Sequence, residues 1–117
     1  MAPKRIQCRR TKGWQLPENT VCVDRKSEFG NPFRIEKTTF VTTGAVEWWV
    51  ETSCYAWRCE TKEEATNRAV MLFRHMVTHT DGYVERVKAE LRGKSLACWC
   101  KPDSHCHADV LLEIANA

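Results

Sequence analysis

Three cysteines and two histidines crowd into the segment from Cys98 to His107. Cys98-Trp99-Cys100 closes a short apolar run, a Lys-Pro-Asp-Ser turn follows, and Cys106-His107 opens an apolar-periodic stretch. Thiolates and imidazoles are nucleophiles, acid–base groups and metal ligands. Residues i and i+2 of a strand share a face, so Cys98 and Cys100 point one way and Trp99 the other. If the turn folds back, Cys106 and His107 meet that pair as a Cys-Cys-Cys-His set that would satisfy tetrahedral zinc. The spacing is tighter than a usual zinc knuckle, and the adjacent Cys106 and His107 need a bent geometry.

The same residues support a second chemistry. The free amides and dipole of a helix N-terminus stabilise a thiolate on Cys106 or an anionic substrate group. Cys98 or Cys106 is then the nucleophile and His107 the acid or base. In a third reading Cys98 and Cys100 are small core residues, with His105 and His107 on the surface. The residues alone leave the three open.

Another polar segment, Asp24 to Phe33, contains Arg25, Ser27, Gly30 and Asn31. Gly30 permits positive φ, and Pro32 restricts Asn31 to an extended conformation. Such a loop offers backbone donors and polar side chains to a phosphate, ribose or base edge, and it also reads as an ordinary Asn/Ser turn. Lys4, Arg5, Arg9, Arg10 and Lys12 all precede the first acid, Glu18. That run suits phosphate binding or the basic protection of a strand edge.

The elements that must position these residues follow from periodicity. Arg5–Arg9 alternates as a half-buried strand and Thr20–Val23 is a second β-branched run, whereas Phe33–Glu36 and Thr39–Val41 are β-prone but hard to place. Val46 to Glu51, a turn at Thr52-Ser53 and Cys54 to Arg58 read as a hairpin, its tryptophans packing across strands or stacking on bases. Thr61-Lys62-Glu63-Glu64 is a capping box for a helix from about Lys62 to Thr78. His75 and His79 lie one turn apart on it, without a third ligand nearby. Asp81 can cap a second helix ending at Gly93. Lys94–Cys100 is the last strand, and Asp103 or Ser104 the N-cap of the last helix. The expected fold is a single α/β or α+β domain, a mixed sheet with three helices packed on it.

A chain of 117 residues with 43% hydrophobic content is long enough for one domain with a real core and too short for two. No apolar run approaches a membrane span and no signal-peptide pattern opens the chain, so the expectation is a cytoplasmic protein with no membrane partner. Seven cysteines is an odd number, which fits reduced thiols better than a disulfide scaffold. Cys8, Cys22, Cys54 and Cys59 stand alone and are expected to be small buried hydrophobes. The net charge of +3 is mildly basic.

The run Arg5 to Trp14, Pro17, Val23-Asp24-Arg25, Gly30-Asn31-Pro32-Phe33, the helix from Ala69 to Phe73, and Leu96 to Cys100 with Cys106 to Leu111 resemble a family of small phage and bacterial proteins. It is known as domain of unknown function 4326. The resemblance covers nearly the whole chain and departs from the family at Lys26 and Phe29, where Pro and Trp are usual. It implies no reaction, but it does imply that the Gly30-Asn31-Pro32 loop and the Cys98–His107 segment form one site. The resulting expectation is a protein, of phage or bacterial type, acting on a nucleotide or nucleic acid by group transfer or hydrolysis. Arg25, Ser27, Gly30 and Asn31 bind substrate in this reading, and Cys98, Cys106 and His107 supply the chemistry. The alternative is a non-enzymatic module in which zinc on Cys98, Cys100, Cys106 and His107 is structural, and the basic run holds nucleic acid or a host protein.

Overall fold

The structure, a computed structural model, describes residues 2–117. In chain order the elements are β1 (Arg5–Gln7), β2 (Thr20–Cys22), β3 (Arg34–Thr39), β4 (Val46–Glu51), β5 (Ala56–Cys59), α1 (Lys62–His79), α2 (Tyr83–Leu91), β6 (Ser95–Cys98) and α3 (His107–Ala115). The fold is α/β with three helices, as expected. Its strands form two sheets where the sequence pattern suggested one mixed sheet. One is parallel, in the order β1-β6-β2, and the other antiparallel, in the order β3-β4-β5.

The last strand of the chain is thus inserted between the first two. Ile6 and Val21 flank Ala97 and Leu96 respectively, and Leu96, Ala97 and Cys98 have 1% exposure or less. A continuous apolar run is what a strand paired on both edges and covered on its faces requires. Leu96 and Cys98 join Val23, Phe73, Leu91, Val110 and Leu111 in the main core. Val50, Cys59, Ala65 and Ala69 form a smaller core against the antiparallel sheet. Helix α1 serves both, presenting Val70, Phe73 and Val77 to the first and Ala65 and Ala69 to the second.

The expected cap of α1 is present. Thr61 Oγ1 accepts from the Glu64 amide at 3.1 Å, while the Glu64 carboxylate accepts from the Glu60 amide at 2.9 Å. Two other expected caps are corrected. Asp81 makes no cap for α2; Gly82, at φ 79°, occupies that position without a side-chain bond. Neither Asp103 nor Ser104 caps α3, which begins at Cys106, whose Sγ and the Asp109 carboxylate form a reciprocal box.

The β-prone pieces Phe33–Glu36 and Thr39–Val41 are bridged by the single strand β3, paired with β4 from Arg34↔Glu51 to Thr39↔Val46, while Phe40 and Val41 fall outside it in the turn to β4. The β4–β5 turn runs further than Thr52-Ser53, because Thr52 Oγ1 accepts from both the Cys54 and Tyr55 amides. Cys54 is therefore exposed in a turn and not buried in a strand, while Cys8 and Cys59 are buried as expected. No helix among the described residues is long and apolar enough to cross a membrane.

Candidate site: a cluster of thiols beneath a cleft

All three parallel strands run towards one edge of their sheet, and the thiols gather there. Cys98 ends β6, Cys100 lies two residues beyond, and Cys106 is the N-cap of α3. Their Sγ atoms all lie within 4.8 Å of one another, and those of Cys98 and Cys106 are 3.4 Å apart. Cys98 and Cys106 are each 1% exposed, whereas Cys100 is half-buried. Three thiols so placed could hold a metal ion.

What returns Cys106 to Cys98 is a guanidinium. Arg5 Nη1 donates to the Ser104 carbonyl at 2.8 Å and the Asp109 carboxylate at 3.1 Å, and Nη2 donates to the Lys101 and Pro102 carbonyls at 3.0 and 2.6 Å. These bonds gather the carbonyls of the tight turn that joins β6 to α3, and the Arg5 side chain is only 12% exposed. A rigid five-donor fork suits this task better than an ammonium. The sequence pattern placed Arg5 in a basic run suited to phosphate binding or to protecting a strand edge; its partners lie about a hundred positions away, where no local signal could reveal them.

The thiols are electrically unequal. Cys106 is pulled far below the ordinary thiol range, chiefly because the Cys100 and Cys98 thiols hydrogen-bond to it, with smaller help from His107 and the Ala108 amide against burial. Cys98 is pushed far above that range by its bonds to Cys100 and Cys106, and then by burial. Cys100 moves up as well, mainly through Cys106. The downward direction for Cys106 fits its place at the helix N-terminus, where the dipole and free amides favour negative charge.

His107 is buried, at 7% exposure, not on the surface. Its Nε2–H donates to the Val23 carbonyl at 2.6 Å, since a carbonyl oxygen can only accept. Nδ1 is left facing Cys106 Sγ at 3.6 Å, and the ring meets the edge of Phe73 with centroids 5.2 Å apart. The imidazole stands beside the three thiols and fixes one of them. His75 and His79 are exposed, with rings stacked 3.9 Å apart, and no third donor joins them among the described residues.

Above the thiols opens a cleft of about 560 Å³. Arg25 and Asn31 line it together with Cys98, Cys100, Cys106 and His107, so the two polar segments meet in one place. Its other walls are Phe33 and Ile35 of the antiparallel half, Trp99, and the cations Lys62 and Lys101; Asp24 is its carboxylate. Asn31 also braces the loop, donating to the Ala69 carbonyl at 3.2 Å and accepting from the Phe33 amide at 2.9 Å.

Ser27 and Gly30 build the loop and do not line the cleft. Ser27 Oγ donates to the Asp24 carbonyl at 2.9 Å and accepts from the Phe29 amide at 3.3 Å. Gly30 does not adopt the positive φ that it permits; a Cβ there would lie 2.5 Å from the Asp24 carbonyl oxygen and 2.8 Å from Arg25 Cα, so the requirement is close backbone approach. His105, read from the sequence as a surface residue, is exposed but lines the cleft, with Nδ1 3.3 Å from Asn67 Oδ1 on α1.

No curated protein and no solved structure matches this chain. A family model does: the one described as Domain of unknown function (DUF4326) matches residues 6–117, nearly the whole chain, including the Gly-Asn-Pro loop and every residue of the thiol cluster, and the chain belongs to that family.

Proposed function

We propose that the cleft takes a nucleotide or a nucleotide of a nucleic acid, and that the protein carries out group transfer or hydrolysis there with a zinc ion on Cys98, Cys100 and Cys106. The observation that carries this reading is the convergence of three thiols within 4.8 Å on the floor of a cleft that also displays Arg25, Lys62 and Lys101. Cys98, Cys100 and Cys106 would hold the ion, and three protein ligands rather than four is the donor count of catalytic zinc sites. Zinc so held would supply Lewis-acid activation of a water or a phosphoryl oxygen.

The chain's own residues have distinct parts. Arg25, Lys62 and Lys101 offset the charge of a phosphate, while Phe33, Ile35 and Trp99 give an apolar wall for a base or sugar. About 560 Å³ is within the range of small-ligand sites. His107 positions Cys106 through Nδ1, its other nitrogen being held by Val23. Arg25 and Asn31 are the substrate contacts of their loop, and Ser27 and Gly30 set its shape.

A second reading is favoured by the lowered pKa of Cys106: a metal-free thiolate nucleophile, with Cys98 and Cys100 as its hydrogen-bond donors and His107 as the acid or base. The readings separate on zinc content and on alkylation near neutral pH, which zinc suppresses and a free thiolate makes fast. The functional proposal is tested by calorimetric titration of zinc-loaded protein with nucleoside mono-, di- and triphosphates, followed by product analysis. Binding that weakens at least about tenfold in Arg25→Glu supports it. Absence of binding by all three classes overturns it.

A further inference from the structure

We infer that the ligand is presented as part of a single-stranded nucleic acid, whose backbone crosses the carboxyl edge of the parallel sheet by way of Trp99 and Arg10. This inference rests on the cleft reading above and extends it from a pocket to a track. The first observation is topological. Because β1, β6 and β2 are parallel neighbours, the residues that follow each emerge at one edge. Arg9 and Arg10 follow β1 closely, Trp99 and Lys101 follow β6, and Arg25 follows β2. At about 4.8 Å between strands, these basic groups span roughly 10 Å of edge before the side chains fan out.

The second observation is a contact. The Cys8 amide donates to the Cys98 carbonyl at 2.7 Å, which extends the β1 pairing and brings the next residues alongside Trp99. The Arg10 guanidinium carbon then lies 5.0 Å from the centroid of the Trp99 ring. Trp99 is 46% exposed and also lines the cleft. It therefore joins the cleft to the exposed stretch Arg9, Arg10, Thr11 and Lys12. An exposed ring with a guanidinium against it, flanked by further cations, is the combination that binds single strands: bases stack on the ring and phosphates meet the cations. A duplex keeps its bases stacked on each other and must unpair and flip one out before it can reach Trp99 or the cleft, which a single strand need not do.

Fluorescence anisotropy tests the track with a labelled mixed-sequence single strand of about a dozen nucleotides, as DNA and as RNA, against the matching duplex and a mononucleotide. The expected result is that a single strand of at least one type binds at least about tenfold more tightly than either mononucleotide or duplex, with log K falling linearly in log salt. The two arms show which sugar is preferred. Arg10→Glu and Trp99→Ala should each weaken strand binding about tenfold, and Arg10→Glu should leave mononucleotide binding unchanged. Mononucleotide binding with no gain for either strand overturns the track alone. So does strand binding indifferent to both substitutions, or a duplex bound equally well. If neither strand nor mononucleotide binds, the cleft reading falls with it.

Discussion

The two sheets of this small protein have the same number of strands and opposite uses. In the antiparallel sheet the strands are longer, up to six residues, and only Val50 and Cys59 are buried. Its edge strand carries Arg58, which pairs with the partly buried Glu47 of the central strand. The parallel sheet has strands of three and four residues, yet its central strand is sealed and its carboxyl edge carries the thiols. Cysteine shows the contrast most simply. Cys59 lies against Ala65 and Ala69 as a core residue, whereas Cys98, Cys100 and Cys106 face one another. Ligand crevices in open α/β sheets form outside the carboxyl ends of parallel strands, because loops and helix N-termini converge there. Here the antiparallel sheet supplies one wall of such a crevice, through Phe33 and Ile35.

If that division is right, damage to the parallel half should cost more than equivalent damage to the antiparallel half. Phe73 is fully buried where α1 meets His107. Phe73→Ala should lower stability by about 3–5 kcal/mol in urea unfolding and weaken zinc binding as well. Trp57→Ala, on the half-buried face of β5, should cost less and leave zinc binding alone. Equal costs would break the comparison.

A sharper version compares two arginines. Arg5→Leu removes the fork that ties the 101–104 carbonyls, and should cost about 2–3 kcal/mol while weakening zinc binding about 10- to 100-fold. Arg58→Leu breaks a pair with one exposed partner and should cost about 1 kcal/mol or less while leaving zinc affinity unchanged. Calorimetric zinc titration beside urea melts separates the two effects.

Alkaline pH probes the same half at Cys8. Burial, and after it Cys22 and Asp24, raises this thiol from 9.0 to about 11. Folding therefore favours the neutral thiol, so its contribution is complete below pH 9 and is lost as pH rises towards 11. Wild-type protein should lose roughly 2 kcal/mol more than Cys8→Ala over that window. Parallel curves for the two proteins would show that Cys8 does not carry the loss. The smallest effect belongs to the cap of α1: Thr61→Ala should cost about 1 kcal/mol and leave zinc affinity unchanged.

What could be read in the residues was local. Thr61 to Glu64 announced α1 because a cap and its box lie within four positions. The grouping of Cys98 with Cys100 was legible from their spacing, although β6 ends at Cys98 and not at Cys100, so that a bend and not strand alternation carries Trp99 and Cys100 into the same cleft; their meeting with Cys106 needed only a tight turn. Long-range features were hidden. The insertion of β6 between β1 and β2 joins positions some ninety residues apart, so nothing nearby separates one mixed sheet from two. Strand β3 escaped because Lys37, Thr38 and Thr39 are exposed and blur its alternation. The cap of α3 escaped because cysteine is a rare N-cap, and the nearby Asp103 and Ser104 are the commoner choice. Arg5 read as one more cation of the basic run because three of its acceptors are backbone carbonyls, which leave no mark on residue type, and the fourth, the Asp109 carboxylate, lies 104 positions away.

The central claim is that Cys98, Cys100 and Cys106 form one metal centre, and cobalt substitution tests it most directly. Purified protein should bind one cobalt ion per chain with a strong thiolate-to-metal absorption band, displaced by one equivalent of zinc. Each of Cys98→Ser, Cys100→Ser and Cys106→Ser should weaken the band, and Cys59→Ser should leave it intact. A protein that binds neither ion, or whose band survives loss of any one of the three, would contradict the account.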